Sequence, residues 1–505
     1  MPRPRVRTKG TTRASPLRSA TGDGVTVVHL TAEYTPYART GGLAEAVQGL
    51  ATIQTRQGIS VVVIMPLYRS ARKAAKNLVP VGEPITVHVG PRREQVRFFR
   101  DAEAESGPTV LFVEHPGYFD REGIYVEGGA DYPDNPRRFA LFTRAALEAI
   151  SMAVKGRVLV HAHDWHSALA LVYMRSYSDL RQRFRGTPAV LSVHNAGYQG
   201  HFSPAVIGDL GIPPETFNYH QLEWYGKVNL LKGGLAFCDL AVTVSPSHAD
   251  ELRTPEGGFG LHAMFTSMGD RFQGITNGID QSIWNPATDT QITANYTRRD
   301  TSNKANCKAA LQRTFGLPQR KRVPLFGMCS RLVKQKGFDI ILASGALNVL
   351  DAQFVFLGAG EERYKATLRQ IAARRPQHVS SEFTFTDAVE HRLIAGCDLL
   401  LMPSEYEPCG LTQMRAQRYG GLVIGRRVGG ISDTVHDDAT GFLFDAFTPN
   451  AFDQAIGRAL QRYQDQQAWA PRMYEAMGRD FGWENSASRY VQLYRRALNA
   501  ANPEH

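Results

Sequence analysis

An α/β fold with two parallel-sheet halves facing a deep cleft is what the 505-residue sequence predicts. Three observations predict it. β-Branched apolar runs repeatedly end in a polar or glycine-rich loop that leads into a helix-like segment, the unit from which parallel sheets are built. Nearly every polar cluster of chemical interest falls just after such a run. A polar stretch, 286–320, separates two series of these units. Ligands of open parallel sheets bind beyond the carboxyl ends of the strands, and a cleft between two domains is a default binding site.

Taken in order, VTVVHLTAEY (25–34) reads as a strand, TPYARTGG as its exit loop, LAEAVQGLATIQTRQG as a helix and ISVVVIMP (59–66) as the next strand. VLVHAHDW (158–165) runs into the helix HSALALVYMRSY, and TPAVLSVHNAGYQG, AVTVSP (241–246) and FQGITNGID (272–280) repeat the strand-and-loop theme. The second series begins near Val323 with VPLFGMCSRL, followed by the helical KGFDIILASGALNVL. AQFVFLGAG, CDLLLMPS, GLVIGRRVGG and GFLFD read as further strands. The expected division is a tail over 1–24, a first domain over 25–285, a hinge region over 286–320, a second domain over 321–480 and a terminal segment over 481–505.

The chain is 43% apolar and 21% charged, the composition of an ordinary globular protein. It has no apolar run of about eighteen residues, so no membrane-spanning helix is expected. Five scattered cysteines suit neither a disulfide framework nor a zinc pattern, and point to a reducing compartment. Of the net charge of +10, half sits in residues 1–24, where six Lys and Arg face one Asp. That segment reads as a disordered tail, and its composition also matches an organelle transit peptide. The remaining body is only mildly basic, so nucleic acid is not needed as a partner.

HAHDWH, His161–His166, resembles a metallo-hydrolase run, but Asp164 comes one place early and no further ligand cluster is evident. The plain alternative makes Asp164 the N-cap of the next helix. His194 and Asn195 in SVHN lie at a strand end, where a histidine is structural or catalytic. In TGGL, Gly41 and Gly42 allow backbone N–H groups to approach a ligand at a helix start, and Arg39 adds charge. In SRLVKQKG, Arg331 and Lys336 share one strand-to-helix loop, a good pocket for a diphosphate or else solvated surface charge. A unit charge pair near 4 Å is worth roughly 4 kcal/mol at an effective dielectric of 20. SEYEPCGLTQ places Glu407 beside Gly410 and Leu411, whose N–H groups favour an anion that Glu407 repels. A sugar diphosphate satisfies both, phosphates taking the cations and N–H groups, hydroxyls taking the carboxylate. Cys409 has no evident base to make it a nucleophile.

YARTGGLAEAV, HAHDWHSAL, SVHNAGYQG, TNGIDQSIWNPATD, SRLVKQKGFD, EPCGLTQMRAQRYG and RRVGGISDTV together resemble the bacterial glycogen synthases and plant starch synthases, glycosyltransferase family five. The resemblance runs in the family's order from about Val25 to Tyr494. It implies two Rossmann-like domains of the GT-B type, with the last helix crossing back to the first domain. The implied reaction moves glucose from ADP-glucose to the non-reducing end of an α-1,4-glucan with retention, without metal or cofactor, in the cytoplasm, or in a plastid if the tail is a transit peptide. Carried over by position, Glu407, Lys336, Arg331, His194 and Asp164 form the catalytic set. Arg39, Gly41, Gly42, Asn277, Cys409, Gly410, Leu411 and Thr412 form the substrate-binding set. Arg39 stands where the family has lysine, Glu45 where it has aspartate, and Val428 where it has threonine. UDP-glucose as donor and a non-catalytic glucan-binding relative are the alternatives within the class. Outside it, an oxidoreductase lacks its G-x-G-x-x-G loop.

Overall fold

The computed structural model describes residues 24–104 and 107–501. The expected tail, apart from Gly24, lies outside the described residues. The first sheet is ordered Phe272–Gly274, Leu240–Thr243, Ala189–Val193, Arg157–His163, Val25–Leu30, Ser60–Pro66, Thr109–Glu114, Arg92–Asp101, Leu78–Pro80. Strands from Phe272–Gly274 to Thr109–Glu114 are parallel. The last two, and Ile85–Val89 paired to Arg92–Asp101, are antiparallel. The second sheet is parallel throughout, in the order Val379–Glu382, Gln353–Leu357, Leu325–Cys329, Leu399–Met402, Leu422–Arg426, Gly441–Phe444. Its central strands are apolar on both faces because helices cover both.

Each sheet has one point where strand order reverses. In the first, the chain lays Ser60–Pro66 and Thr109–Glu114 on one side of Val25–Leu30, then returns to place Arg157–His163 on the other. In the second, Leu325–Cys329 is flanked by Gln353–Leu357 and Leu399–Met402 in the same way. The loops leaving these two strand pairs diverge to opposite faces and leave a crevice. They carry Arg39, Asp164, Arg331, Lys336 and Glu407.

Two expectations need adjusting. The helix expected across Lys336–Leu350 breaks at Gly345, whose φ of 76° ends Phe338–Ser344 and starts Ala346–Val349. Of the strand-and-loop stretch 272–280, Phe272–Gly274 forms the strand and Ile275–Asp280 carries the chain across to the second domain. The polar stretch 286–320 is not a free connector. It contains a helix, Lys304–Thr314, and Lys304 donates to the Ala395 and Cys397 carbonyls at 3.0 Å, while Asp289 accepts from Tyr419 and pairs with His391.

The two crossings between domains instead lie side by side, at Ile275–Asp280 and Phe481–Trp483. Ile279 N–H donates to Phe481 C=O at 2.8 Å, and a Cβ on Gly278 would meet Trp483 N at 2.8 Å. Beyond the second crossing, helix Trp483–Ala500 buries Trp483, Ala487, Tyr490, Leu493, Tyr494 and Ala497 in the first domain's core.

Candidate active site

At the second sheet's reversal, Gly337 has φ 79°, and a Cβ there would lie 2.0 Å from the Pro403 carbonyl. Only glycine lets the turn after Leu325–Cys329 press against the exit of Leu399–Met402. That approach brings Lys336 Nζ within 2.5 Å of Glu407 Oε2, with both side chains largely buried. Ser404 Oγ donates to the same carboxylate oxygen at 3.0 Å. Arg331, on the same loop, is exposed, and its guanidinium forms no ion pair among the described residues. One of the two cations read from the sequence as a diphosphate pocket is thus paired with the acid, and the other is open.

The loop after Glu407 is more closed than an anion cradle. Gly410 has φ 69°, which Gln413 exploits by donating to the Cys409 and Gly410 carbonyls at 2.8 and 3.0 Å. Leu411 and Thr412 are half-buried at the start of a short helix, Thr412–Arg418. Cys409 is buried, its thiol pushed up to about 12 by desolvation, which disfavours a thiolate nucleophile. The Asn277 backbone hydrogen-bonds that sulfur, so the first crossing touches this loop. Val428 precedes Gly429–Thr434, whose first N–H donates to Glu251 Oε1 of the first domain at 2.6 Å.

On the first domain's side, Gly41 and Gly42 are exposed at the start of helix Gly42–Arg56, with open space where a Cβ would stand. Glu33 holds their loop: its carboxylate accepts from Thr40 N–H and Oγ–H at 2.6 Å each, and from the Tyr125 hydroxyl at 2.7 Å. Arg39 pairs with Glu45 at 2.8 Å and reaches across to Asp387 at 3.1 Å. Glu45 also pairs with Arg415, which Glu390 holds at 2.6 Å. Arg39 and Glu45 therefore both contact the second domain.

Asp164 does not cap its own helix. Held at φ 56°, it turns its carboxylate to accept from the His194 N–H at 2.7 Å. Burial raises its pKa from 3.8 to about 7 against the opposing hydrogen bonds from His194 and Asn195. Burial lowers His194 to about 3, so its imidazole is neutral. The His194–Asn195 loop faces the Glu407 loop, since Asn195 hydrogen-bonds the Tyr406 hydroxyl, and the Phe259 and Tyr406 rings meet edge-on at 5.0 Å. His29, His161 and His163 lie close enough to share a metal ion. Every ring nitrogen of the three is instead hydrogen-bonded to His, Gln, Tyr or Ser, and a metal would have to break those bonds.

Two helices close the cleft by capping each other across it. Asp433 accepts from Ser247 N–H at 3.0 Å and Ser247 Oγ–H at 2.6 Å, at the start of Pro246–Leu252. Glu251, at the far end of that helix, caps Gly429–Thr434 in return. Ser245 Oγ donates to the Pro408 carbonyl at 2.7 Å beside them.

A family model described as the starch synthase catalytic domain matches residues 26–267, and one described as glycosyl transferases group 1 matches 313–476. A glycogen synthase of Anaeromyxobacter dehalogenans strain 2CP-C is 40% identical over 93% of this chain and 99% of that relative. The chain belongs to the glycogen synthase family. Glycogen synthase 2 of Geobacter sulfurreducens is 39% identical over 94% of this chain and 99% of its own. The catalytic domain of starch synthase IV from Arabidopsis thaliana, solved bound to ADP and acarbose, superposes with a TM-score of 0.86 at 32% identity, covering 94% of this chain and all of that one. Like its family, this chain is a glucosyltransferase of the two-domain GT-B fold. Reading the sequence missed Glu33, Glu251, Asp387, Arg415 and Asp433. Glu33 holds Thr40 seven positions on, and the other four act through partners distant in sequence that no local pattern announces.

Proposed function

We propose that the chain transfers glucose from ADP-glucose to the non-reducing end of an α-1,4-glucan, keeping the α configuration. The observation that carries this reading is the Lys336–Glu407 pair at the strand-order reversal of the second sheet, facing His194 and Asp164 from the first. In this reading the first domain, up to the crossing at Ile275–Asp280, is the acceptor side, the second domain between the two crossings is the nucleotide-sugar side, and helix Trp483–Ala500 returns to the first. The ADP seen with the Arabidopsis relative supports an adenine donor.

An ammonium carries three N–H donors. Lys336 gives one to Glu407 and keeps two for phosphate oxygens, with Arg331 free to join it. As the bond from the anomeric carbon to the phosphate oxygen breaks, negative charge grows on the diphosphate and positive charge on the sugar ring. Fixed cations stabilise the first without reorganisation. Glu407 takes a sugar hydroxyl and, with the His194 loop, stabilises the second. The Cys409–Thr412 backbone and Asn277 border the sugar, and Arg39 with Gly41 and Gly42 covers the nucleotide.

The pathway is front-face. The acceptor's 4-hydroxyl bonds to the anomeric carbon on the side the phosphate leaves, and its proton passes to a phosphate oxygen. Glu407 is tied to Lys336 and Ser404, and Asp164 holds its proton to about pH 7, so neither is poised as a nucleophile. A trapped glucosyl ester on either would count against this route. Offering ADP-glucose and UDP-glucose in parallel with glycogen, and following nucleoside diphosphate release, tests the donor. Release from UDP-glucose alone would overturn the adenine assignment, and release from neither would overturn the reaction.

A further inference from the structure

Behind His194 lies a continuous file of buried hydrogen bonds that the transfer reaction does not by itself require. His194 Nε2 meets His163 Nδ1 at 3.0 Å, and His163 Nε2 meets His29 Nδ1 at 2.9 Å. His29 Nε2 then meets Gln54 Oε1 at 2.9 Å, and Gln54 Nε2 donates to the Tyr494 hydroxyl at 3.0 Å. Tyr494 continues to His161 Nδ1 at 2.8 Å, and His161 Nε2 to Ser192 Oγ at 2.7 Å. Three adjacent strands, helix Gly42–Arg56 and the returning last helix all contribute, and His29, Gln54, His161 and Ser192 are fully buried.

Burial keeps these imidazoles neutral, His29 near 4 and His163 well below its ordinary value. A neutral imidazole has one donor nitrogen and one acceptor. A file of them therefore has only two polarities, and the group at its end selects one. Gln54 presents its carbonyl, which can only accept, so the proton of His29 is on Nε2 and its Nδ1 is bare. His163 must then donate through Nε2 and accept at Nδ1, and His194 must carry its proton on Nε2. The remaining nitrogen, His194 Nδ1, is buried and has no hydrogen-bond partner among the described residues. Turning the Gln54 amide round would reverse every proton in the file and make that nitrogen a donor.

We propose that Gln54, through His29 and His163, sets the tautomer of His194 so that Nδ1 offers a lone pair to a hydroxyl of the transferred sugar, and that Tyr494 on the last helix holds the Gln54 amide in the orientation that does so. The sugar-side role rests on the function proposed above, and the tautomer does not. Gln54, His29, His163 and Tyr494 are positioning residues. Their placement gives the returning helix a part in the reaction without contact with substrate.

The test is nitrogen-15 NMR of the full chain labelled at histidine, with the His194 signals assigned by their loss in His194→Gln. In the wild type Nε2 is expected to be protonated and Nδ1 bare. In Gln54→Met, a similar shape with no amide, and in Tyr494→Phe, which frees the amide to turn, His194 is expected to show mixed or reversed tautomers. Turnover should fall about fivefold to tenfold, the worth of one hydrogen bond, with the KM for glycogen within about twofold. Tyr494→Phe keeps the ring packing and carries the comparison if Gln54→Met fails to fold. A proton on Nδ1 in the wild type, or an unchanged tautomer in a folded variant, would overturn the proposal. If the tautomers shift as expected while His194→Gln stays fully active, the relay stands and the sugar-side placement of His194 falls.

Discussion

Replacing Asp164 by Asn tests the electrostatics of the site most directly. The side chains have nearly the same shape, Asn keeps an oxygen to accept the His194 N–H, and it tolerates the positive φ at this position. Only the ability to ionise is lost. The folded-state pKa of Asp164 is about 7 against an ordinary 3.8. Between those values the folded form binds the proton more tightly than the unfolded one, so wild-type stability falls as pH rises through the window and levels off above about pH 7. The full displacement corresponds to a ceiling of about 4 kcal/mol. Asn has no such dependence. The stability of Asp164→Asn minus that of wild type should therefore be near zero at pH 4 and grow by up to about 4 kcal/mol by pH 8. Urea-unfolding midpoints of both proteins at matched pH values measure it, and other titrating groups cancel in the difference. A difference that stays flat, or shrinks as pH rises, would show that the carboxyl is already ionised in the folded protein and that its burial is not the controlling influence.

Lys336→Ala and Glu407→Ala should each lower turnover by orders of magnitude, measured as nucleoside diphosphate release from protein whose circular dichroism is unchanged. Each should also cost stability, since breaking a buried pair from one side typically costs about 3–5 kcal/mol, and near-normal activity in either would remove that residue from the mechanism. Asp387→Asn frees Arg39 from an exposed partner; stability should change by less than about 1 kcal/mol and the donor KM should fall or hold steady, whereas a raised KM would mean that Asp387 positions Arg39 for binding. Asp433→Ala removes the cap on Pro246–Leu252, worth about 1 kcal/mol, and should enlarge the radius of gyration seen by small-angle X-ray scattering without substrate. An unchanged radius would show that the reciprocal caps do not hold the cleft shut.

Much of the frame is legible in the chain itself. Runs such as VTVVHL and LLLM declare fully buried strands because both faces are apolar, and Gly337 marks a turn that another residue could not make. The antiparallel edge is harder to see. Arg92–Asp101 alternates exposed and buried positions and carries six charges in RREQVRFFRD, so it lacks the continuous apolar run that flags a central strand. The stretch 286–320 reads as a hinge because it is polar, yet Lys304 and Asp289 find buried partners that composition does not disclose.

Sequence alone therefore determined the fold class, the family and the residue types brought to the cleft, because these follow from local periodicity and from motifs a few residues long. Only the tertiary structure decided which charges neutralise each other. Lys336 meets Glu407 across 71 positions, Arg415 meets Glu45 across 370, and Gln54 meets Tyr494 across 440. Coulomb attraction and hydrogen bonding depend on separation in space. Folding sets that separation by packing sheets and helices, and order along the chain carries little record of it.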